Sequence, residues 1–358
     1  MEGDAAPEVV RGVRVDSPLG VAYETAIREW LSLHTQVPRP LYHYTRTDGL
    51  EGIIESKSFW ASHAEYLSDA SELRYAKELI QEVIADEAGR VGSERVKEGL
   101  LRNPETAWDS FVLGIRPFVV CFCAAEDLLS QWRGYGASGP AYALGLDFTI
   151  LAVTGLPPGS WLRRVIYDRD QQVAIVRTTV RAWAAAIEDE IRSGQKEEDL
   201  FPYPALWILQ RLLFESHLCF KNPAFSEERE WRLIKLVNLQ AELSYARDLR
   251  LDRQLRDTLN RAGLPATGQV NSKWTPTMAE GLEIRFRRSS FGFVPYVQLP
   301  VIERYGVFNG RLPLQKVIQG PTPHAAPALE SLKLFLEAKG YGFPNTHVQL
   351  SRIPLRGS

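Results

Sequence analysis

The stretch that decides the fold is RPFVVCFCA, residues 116–124. Every residue from Phe118 to Ala124 is apolar, and a continuous run of this kind is typical of a strand that is buried on both faces. A strand of that kind must be covered by other layers of secondary structure. The stretch therefore predicts a sheet that is flanked on both sides.

Outward from this strand, helical and strand patterns interleave without a regular strand–helix–strand rhythm. That arrangement favours an α+β fold over a doubly wound parallel sheet. We expect a mixed, largely antiparallel sheet flanked by helices. Residues 1–20 are expected to be a flexible N-terminus, residues 21–358 a single domain, and the weakly patterned stretch near 238–282 a variable insertion.

Composition narrows the function classes. The 358 residues carry a formal net charge of −2, which excludes duplex binding driven by a global basic excess but not a local basic patch. Three cysteines, in an apolar context, indicate reduced core residues. The N-terminus has no apolar signal segment and no run is long enough to span a bilayer, so we expect a cytoplasmic protein without membrane contact.

His43 lies in the strand pattern LYHYT, residues 41–45. Strand alternation places His43 on one face and Tyr42 and Tyr44 on the other. A histidine that is hydrogen-bonded in the core is one interpretation, and a neutral imidazole that binds a ribose hydroxyl is the other. Tyr44 is a further candidate for contact with a bound nucleotide.

Two more segments carry candidates. AEYLSDASEL, residues 64–73, places Asp69 and Glu72 before a helix, where they either form a capping box or line a site. Tyr66 in the same segment is either a core residue or a platform for a flat ring.

SQWRGYGASG, residues 130–139, combines Trp132, Arg133 and Tyr135 with glycines that allow a ligand to approach the backbone closely. The stretch matches neither common phosphate-loop pattern, and a helix end with buried aromatic residues explains it equally well.

EREWR, residues 228–232, is the most informative segment. In a strand, Glu228, Glu230 and Arg232 share one face. These charges form either a solvated edge or a cleft in which a carboxylate acts on a substrate that Arg232 orients. No histidine or cysteine spacing matches a metal site, so we expect no metal.

These segments, taken in order, resemble the bacterial family known as domain of unknown function 2971. The resemblance rests on LYHYT, FWAS with YLSDASE, CFC with QWRGYG and GLDF, EREWRLI, and VIQGP with the closing SRIPLR. It spans roughly residues 41–356 and leaves 238–282 without a match.

The beginning of that family and its E-x-E strand are in turn similar to the ADP-ribosyltransferase fold, which implies an ADP-ribosyltransferase-like core with helical insertions. This similarity implies that NAD is the substrate. It implies that His43 binds the NAD ribose, that Tyr66 packs on the nicotinamide, and that Glu230 stabilises the ribosyl cation with Glu228 as the upstream carboxylate.

Three hypotheses follow. The first is an NAD-dependent ADP-ribosyltransferase-like enzyme, a bacterial toxin or anti-phage effector, with a protein or nucleic-acid acceptor. The second is an N-glycohydrolase that acts on NAD or a nucleoside. The third is a non-catalytic module that senses a nucleotide or a phage component. The sequence leaves the acceptor and the oligomeric state open.

Overall fold

The computed structural model describes residues 9–10, 13–14, 16–67, 71–101, 115–137, 139–148, 159–196, 205–239, 242, 281–289, 292–300, 311–342 and 344–354. Asp69 and nearly all of the predicted insertion near 238–282 therefore lie outside the described residues, as does much of the predicted N-terminal segment.

The described strands are β1 (Val9–Val10), β2 (Val13–Arg14), β3 (Leu41–Arg46), β4 (Ser58–His63), β5 (Ile115–Cys123), β6 (Ala141–Leu146), β7 (Ser160–Arg164), β8 (Glu230–Asn238), β9 (Arg285–Ser289), β10 (Gly292–Pro300), β11 (Leu314–Gln319) and β12 (His347–Leu350). The described helices are α1 (Pro18–Ser32), α2 (Thr47–Ser56), α3 (Ser71–Ala88), α4 (94–101), α5 (Leu129–Gly136), α6 (Arg169–Arg192), α7 (Ala205–Cys219) and α8 (Ala325–Ala338). Two short 3-10 helices cover Ala64–Tyr66 and Pro223–Glu228.

The chain divides into two compact units. The helical unit comprises Met1–Val37, Asp69–Phe111 and Arg163–Glu230, and the sheet unit comprises Pro38–Ser68, Val112–Leu162 and Trp231–Ser358. The boundary between the units falls within β8. Its first residue, Glu230, belongs to the helical unit, and the rest of the strand belongs to the sheet unit.

The large sheet runs in the order β12-β11-β6-β3-β5-β4-β10-β9, and β8 pairs with β5 and β7. The pairs β3–β6, β4–β5 and β4–β10 are antiparallel, whereas β11–β12 is parallel. Helices α2, α5 and α8 pack on strands of this sheet. A mixed α+β fold with a largely antiparallel sheet flanked by helices is therefore confirmed.

Strand β5 contains the stretch that predicted this fold. Phe118, Val119 and Val120 are consecutive and all buried, as are Phe122 and Cys123. Neighbouring side chains in a strand point to opposite faces, so burial of three in a row requires cover on both sides.

The helical unit is built from α1, α3, α6 and α7, which pack on one another. In α6, Val176, Val180, Trp183 and Ile187 are buried, and their spacing of four, three and four residues places them on one face of the helix. Asp168 caps this helix by accepting a hydrogen bond from the main-chain N–H of Gln171 at 2.7 Å.

Candidate functional site

A buried lysine lies at the centre of a charged cluster in the helical unit. Lys221 follows the last turn of α7, and its main-chain N–H donates to the carbonyl of Ile166 at 3.2 Å. Gln172 is fully buried and its side-chain amide donates to the carbonyls of both Ile166 and Lys221, at 2.6 Å and 2.9 Å. These bonds fix the backbone from which the lysine side chain extends.

Three carboxylates surround the Lys221 ammonium. Nζ lies 2.6 Å from Glu72 Oε1, 2.6 Å from Glu228 Oε2 and 3.1 Å from Glu230 Oε2. The side chains of Glu72 and Glu230 are 6% and 7% exposed, whereas that of Glu228 is 23% exposed. Solvent therefore reaches Glu228 more readily than the other two.

Each carboxylate comes from a different element. Glu72 lies in the first turn of α3, Glu228 ends the 3-10 helix, and Glu230 begins β8. Between the last two, Arg229 adopts a left-handed conformation with φ of 44°. The prediction that one strand spans Glu228 to Arg232 is therefore wrong at its start, because this residue breaks the extended backbone and allows Glu228 to reach Lys221 from a turn.

Burial and neighbouring charges shift pKa values in this cluster in opposite directions. Burial by itself lowers the pKa of Lys221, but the carboxylates of Glu230, Glu72 and Glu228 outweigh burial and raise it above its ordinary value. Lys221 is therefore an ammonium, not a nucleophilic amine. Burial raises the pKa of Glu228, although the Lys221 ammonium opposes that shift. The cluster thus contains a carboxyl group that is able to hold a proton beside an ionised partner.

Two aromatic side chains border the cluster. The Lys221 ammonium lies 5.1 Å from the centre of the Phe225 ring, within the range of a cation–π interaction. The hydroxyl of Tyr167 accepts a hydrogen bond from the main-chain N–H of Glu230 at 3.0 Å. Burial raises the pKa of Tyr167, and the Glu230 carboxylate raises it further, so the phenol stays protonated.

One ring nitrogen of His43, in the sheet unit, forms a hydrogen bond with the main chain. Its Nδ1 lies 2.9 Å from the carbonyl oxygen of Cys121, so Nδ1 carries the proton and Nε2 is the acceptor. Burial lowers the pKa of His43, and Arg287 lowers it further. The ring is therefore neutral, in the state that the sequence analysis required for binding a hydroxyl group.

The tyrosines on the other face of β3 form an apolar cluster with the segment 130–139. Tyr42, Tyr44 and Trp132 are buried together, and Tyr135 packs against them. The indole N–H of Trp132 donates to Asp127 at 2.6 Å. In this structure Trp132 therefore serves the core, while Arg133 on the same helix is exposed.

The remaining predicted residues occupy different surroundings. Tyr66 is 36% exposed and its ring meets the ring of His63 edge-on at 5.4 Å. Arg232 is buried in β8, and so is Glu230, which makes the interpretation of both as a solvated edge wrong. Glu72 contacts Lys221 directly, so it lines the cluster. Asp69 lies outside the described residues.

Lys221 and Tyr167 were missed by the sequence analysis. A single lysine after a helix is ordinarily a solvated charge that favours the helix C-terminus, so nothing local marks it as buried. Glu228 and Glu230 lie only seven and nine residues further along the chain, whereas Glu72 reaches Lys221 through the tertiary fold.

Within the part of the chain that the structure describes, no group of three His, Cys, Asp or Glu residues is arranged to hold a metal ion. None of the helices described is long and apolar enough to cross a membrane.

Residues 131–233 match the model of a family described as "Protein of unknown function (DUF2971)". The resemblance that the sequence analysis identified is confirmed over these residues, which run from the Trp132 segment through Lys221, Glu228 and Glu230. Neither the curated proteins nor the solved structures include a significant match to the chain.

Proposed function

We propose that this protein cleaves the bond between nicotinamide and ribose in NAD, with Glu230 as the carboxylate that stabilises the ribosyl cation. The observation that carries the proposal is the cluster of Glu72, Glu228 and Glu230 around Lys221, buried in the helical unit. The similarity of the sequence motifs to the ADP-ribosyltransferase fold supports the same assignment of Glu230.

The reaction breaks the C1′–N bond, and the nicotinamide nitrogen takes the electron pair. Positive charge then develops on the ribose, and a fixed carboxylate in a poorly hydrated site stabilises that charge without having to reorganise. Glu230 is buried, and its main-chain N–H bond to Tyr167 fixes the start of β8. A single electrostatic contact of this type lowers the activation barrier by about 3 kcal/mol in comparable sites.

Glu228 is suited to the second half of the reaction. It is the more exposed carboxylate, and burial raises its pKa, so it can take a proton from an incoming hydroxyl group or water. The nucleophile then forms the new bond to C1′ while its proton moves to Glu228. Lys221, whose Nζ lies 3.1 Å from Glu230 Oε2, holds that carboxylate in place and is a positioning residue, not a nucleophile.

The other assignments rest on the resemblance. His43 would accept a hydrogen bond from a ribose hydroxyl through Nε2, and Tyr66 would pack on the nicotinamide. Of the remaining candidates, Arg133 is exposed and would contact the nucleotide, whereas Tyr44, Trp132 and Arg232 are buried and carry no part of this proposal. A cytoplasmic role as a bacterial toxin or anti-phage effector belongs to the same proposal.

The test uses NAD that is labelled on its adenylate. Free nicotinamide and label in macromolecules are measured for the wild type and for Glu230→Gln, with cell extract as the source of acceptors. Glu190→Gln is the matched control, because Glu190 is also buried in the helical unit and accepts a neutral hydrogen bond from Leu19 N–H at 3.0 Å. Gln can still accept that bond.

We expect wild type and Glu190→Gln to release nicotinamide and Glu230→Gln to lose release while remaining folded. Label in macromolecules would identify a transferase, and release without transfer would identify a glycohydrolase. Absence of release from every variant would remove the NAD proposal.

One observation favours a non-catalytic alternative. Lys221 contacts all three carboxylates, so the cluster is already internally paired. A sensing module would show saturable binding of a nucleotide and a rise in Tm without turnover.

A further inference from the structure

The edge of the sheet at β9 has an unusual surface. Among the described strands, β9 ends the strand order, and all five of its residues, Arg285 to Ser289, are exposed. Edge strands commonly carry charges that prevent pairing with other chains, and the arginines here fit that role. The exposed aromatic residues beside them do not.

Register places two phenylalanines and an arginine on one face of the β9–β10 pair. Phe293 lies opposite Arg288 and Phe286 lies opposite Pro295, so alternation directs Phe286, Arg288 and Phe293 to the same side. Phe286 and Phe293 are diagonal neighbours, which lie about 7–8 Å apart in an antiparallel pair. Their side chains are 60% and 69% exposed.

The charge on these strands is positive. Within the described residues 281–289 and 292–300, three arginines stand against one glutamate. Arg285 pairs with Glu283 at 2.6 Å, and Arg287 donates to the Ser62 hydroxyl at 2.9 Å. Arg288 lies directly across from Phe293 and is exposed.

We propose that the face formed by Phe286, Arg288 and Phe293 binds single-stranded nucleic acid. Aromatic rings on a sheet stack on unpaired bases, and a guanidinium beside them contacts the phosphates. Arg288 is the charged residue that the register of β9 and β10 places on this face, and its positive charge favours a polyanion over an apolar protein partner. Two exposed rings cannot stack on the bases of an intact duplex, so single strands are preferred. The proposal is independent of NAD chemistry.

Fluorescence anisotropy tests the proposal on the full chain with labelled poly-dT and poly-U strands of about 20 nucleotides, enough for a site of this class. The same measurement is made with a duplex of equal length. The variants are Phe286→Ala with Phe293→Ala, and Arg288→Glu. The controls are exposed side chains elsewhere: Leu334→Ala, which is 59% exposed, and Arg74→Glu, which is 72% exposed.

We expect the wild type and both controls to bind the single strands more tightly than the duplex, with affinity that falls as salt rises. Each ring removed should weaken binding about tenfold, and Arg288→Glu should also reduce the salt dependence. All of these side chains are exposed, so circular dichroism and Tm should stay unchanged. A difference between the DNA and RNA strands would identify which one is the ligand.

Three results would overturn the proposal. One is the absence of binding to either single strand. Another is equal binding by the wild type and by the variants of Phe286, Phe293 and Arg288. The third is equal affinity for the duplex and the single strands, which would indicate unspecific charge attraction.

Discussion

The hydroxyl of Tyr167 accepts a hydrogen bond from the main-chain N–H of Glu230, with a distance of 3.0 Å between the two atoms. This bond fixes the first residue of β8, whose carboxylate meets Lys221. The position of the proposed catalytic carboxylate therefore depends on a phenol 63 residues away in the sequence.

Tyr167→Phe leaves the Glu230 N–H without this acceptor. A buried donor that loses its partner costs about 1–3 kcal/mol, so we expect a lower free energy of unfolding in urea. We also expect slower nicotinamide release, because Glu230 is less firmly placed.

Tyr75→Phe separates these two effects. The Tyr75 hydroxyl donates to Gln172 Oε1 at 2.8 Å, also within the helical unit. This variant should lose some stability and keep its activity. Equal activity loss in both variants would mean that Tyr167 has only a structural role.

Lys221→Met removes the cation that three carboxylates share. Breaking a buried ion pair from one side costs about 3–5 kcal/mol, which we expect at neutral pH in denaturant melts. Lys221 opposes the rise that burial causes in the pKa of Glu228, so without the ammonium this pKa rises further above its unfolded value. The contribution of Glu228 to stability is then present at low pH and lost as pH rises. The difference in free energy of unfolding between Lys221→Met and the wild type should therefore be larger at high pH than at low pH.

Lys316→Met is the control for this prediction. Lys316 lies 2.7 Å from Glu126, and the two side chains are 27% and 29% exposed. Solvent screens such a pair, so the variant should lose about 1 kcal/mol or less. A Lys221→Met protein with wild-type stability at all pH values would show that the cluster is hydrated.

His34→Asn tests a second buried group in the helical unit. Burial lowers the pKa of His34 to about 3, and the Arg163 guanidinium contributes to the shift while Glu215 opposes it. Nδ1 accepts from the main-chain N–H of Arg164 at 2.9 Å. Asn can replace that acceptor without titrating.

The sign of the pH effect follows from the lowered pKa. The unfolded chain takes up a proton below about pH 6.5 and the folded chain does not, so stability is lost as pH falls, by about 1.4 kcal/mol per unit. The loss should end near pH 3. Stability measured against pH should be flatter for His34→Asn, and His324→Asn, at an exposed position, should retain the wild-type curve. Identical curves for all three proteins would contradict the assignment.

Features of this fold that depend on local sequence patterns could be predicted, whereas contacts between residues distant in sequence could not. The apolar run that became β5, the alternation that places His43 opposite Tyr42 and Tyr44, and the α6 face are local patterns, and the sequence predicts them. The turn at Arg229 is not marked locally, because a left-handed arginine has no sequence signal. Glu72 and Lys221 meet across the fold, so the sequence alone does not decide whether Glu72 caps a helix or lines a site.

Two helix glycines, Gly52 in α2 and Gly134 in α5, lead to opposite predictions for the effect of alanine on stability. A Cβ at Gly52 would lie 2.2 Å from Cζ2 of Trp60, whose ring stacks on Tyr296 at 5.0 Å and has little freedom to move. Gly52→Ala should therefore lose about 1–3 kcal/mol through overpacking. A Cβ at Gly134 would meet no heavy atom of the described residues within 4 Å.

Gly134→Ala should consequently gain about 0.4–1 kcal/mol, because alanine reduces the entropy of the unfolded chain and suits a helix. Urea melts of the two variants beside the wild type measure both shifts. The pair shares the same chemical change, so differences in the unfolded state largely cancel. A loss of stability in Gly134→Ala would show that the QWRGYG helix is packed more tightly than its surroundings indicate, and a neutral Gly52→Ala would show that Trp60 can move aside.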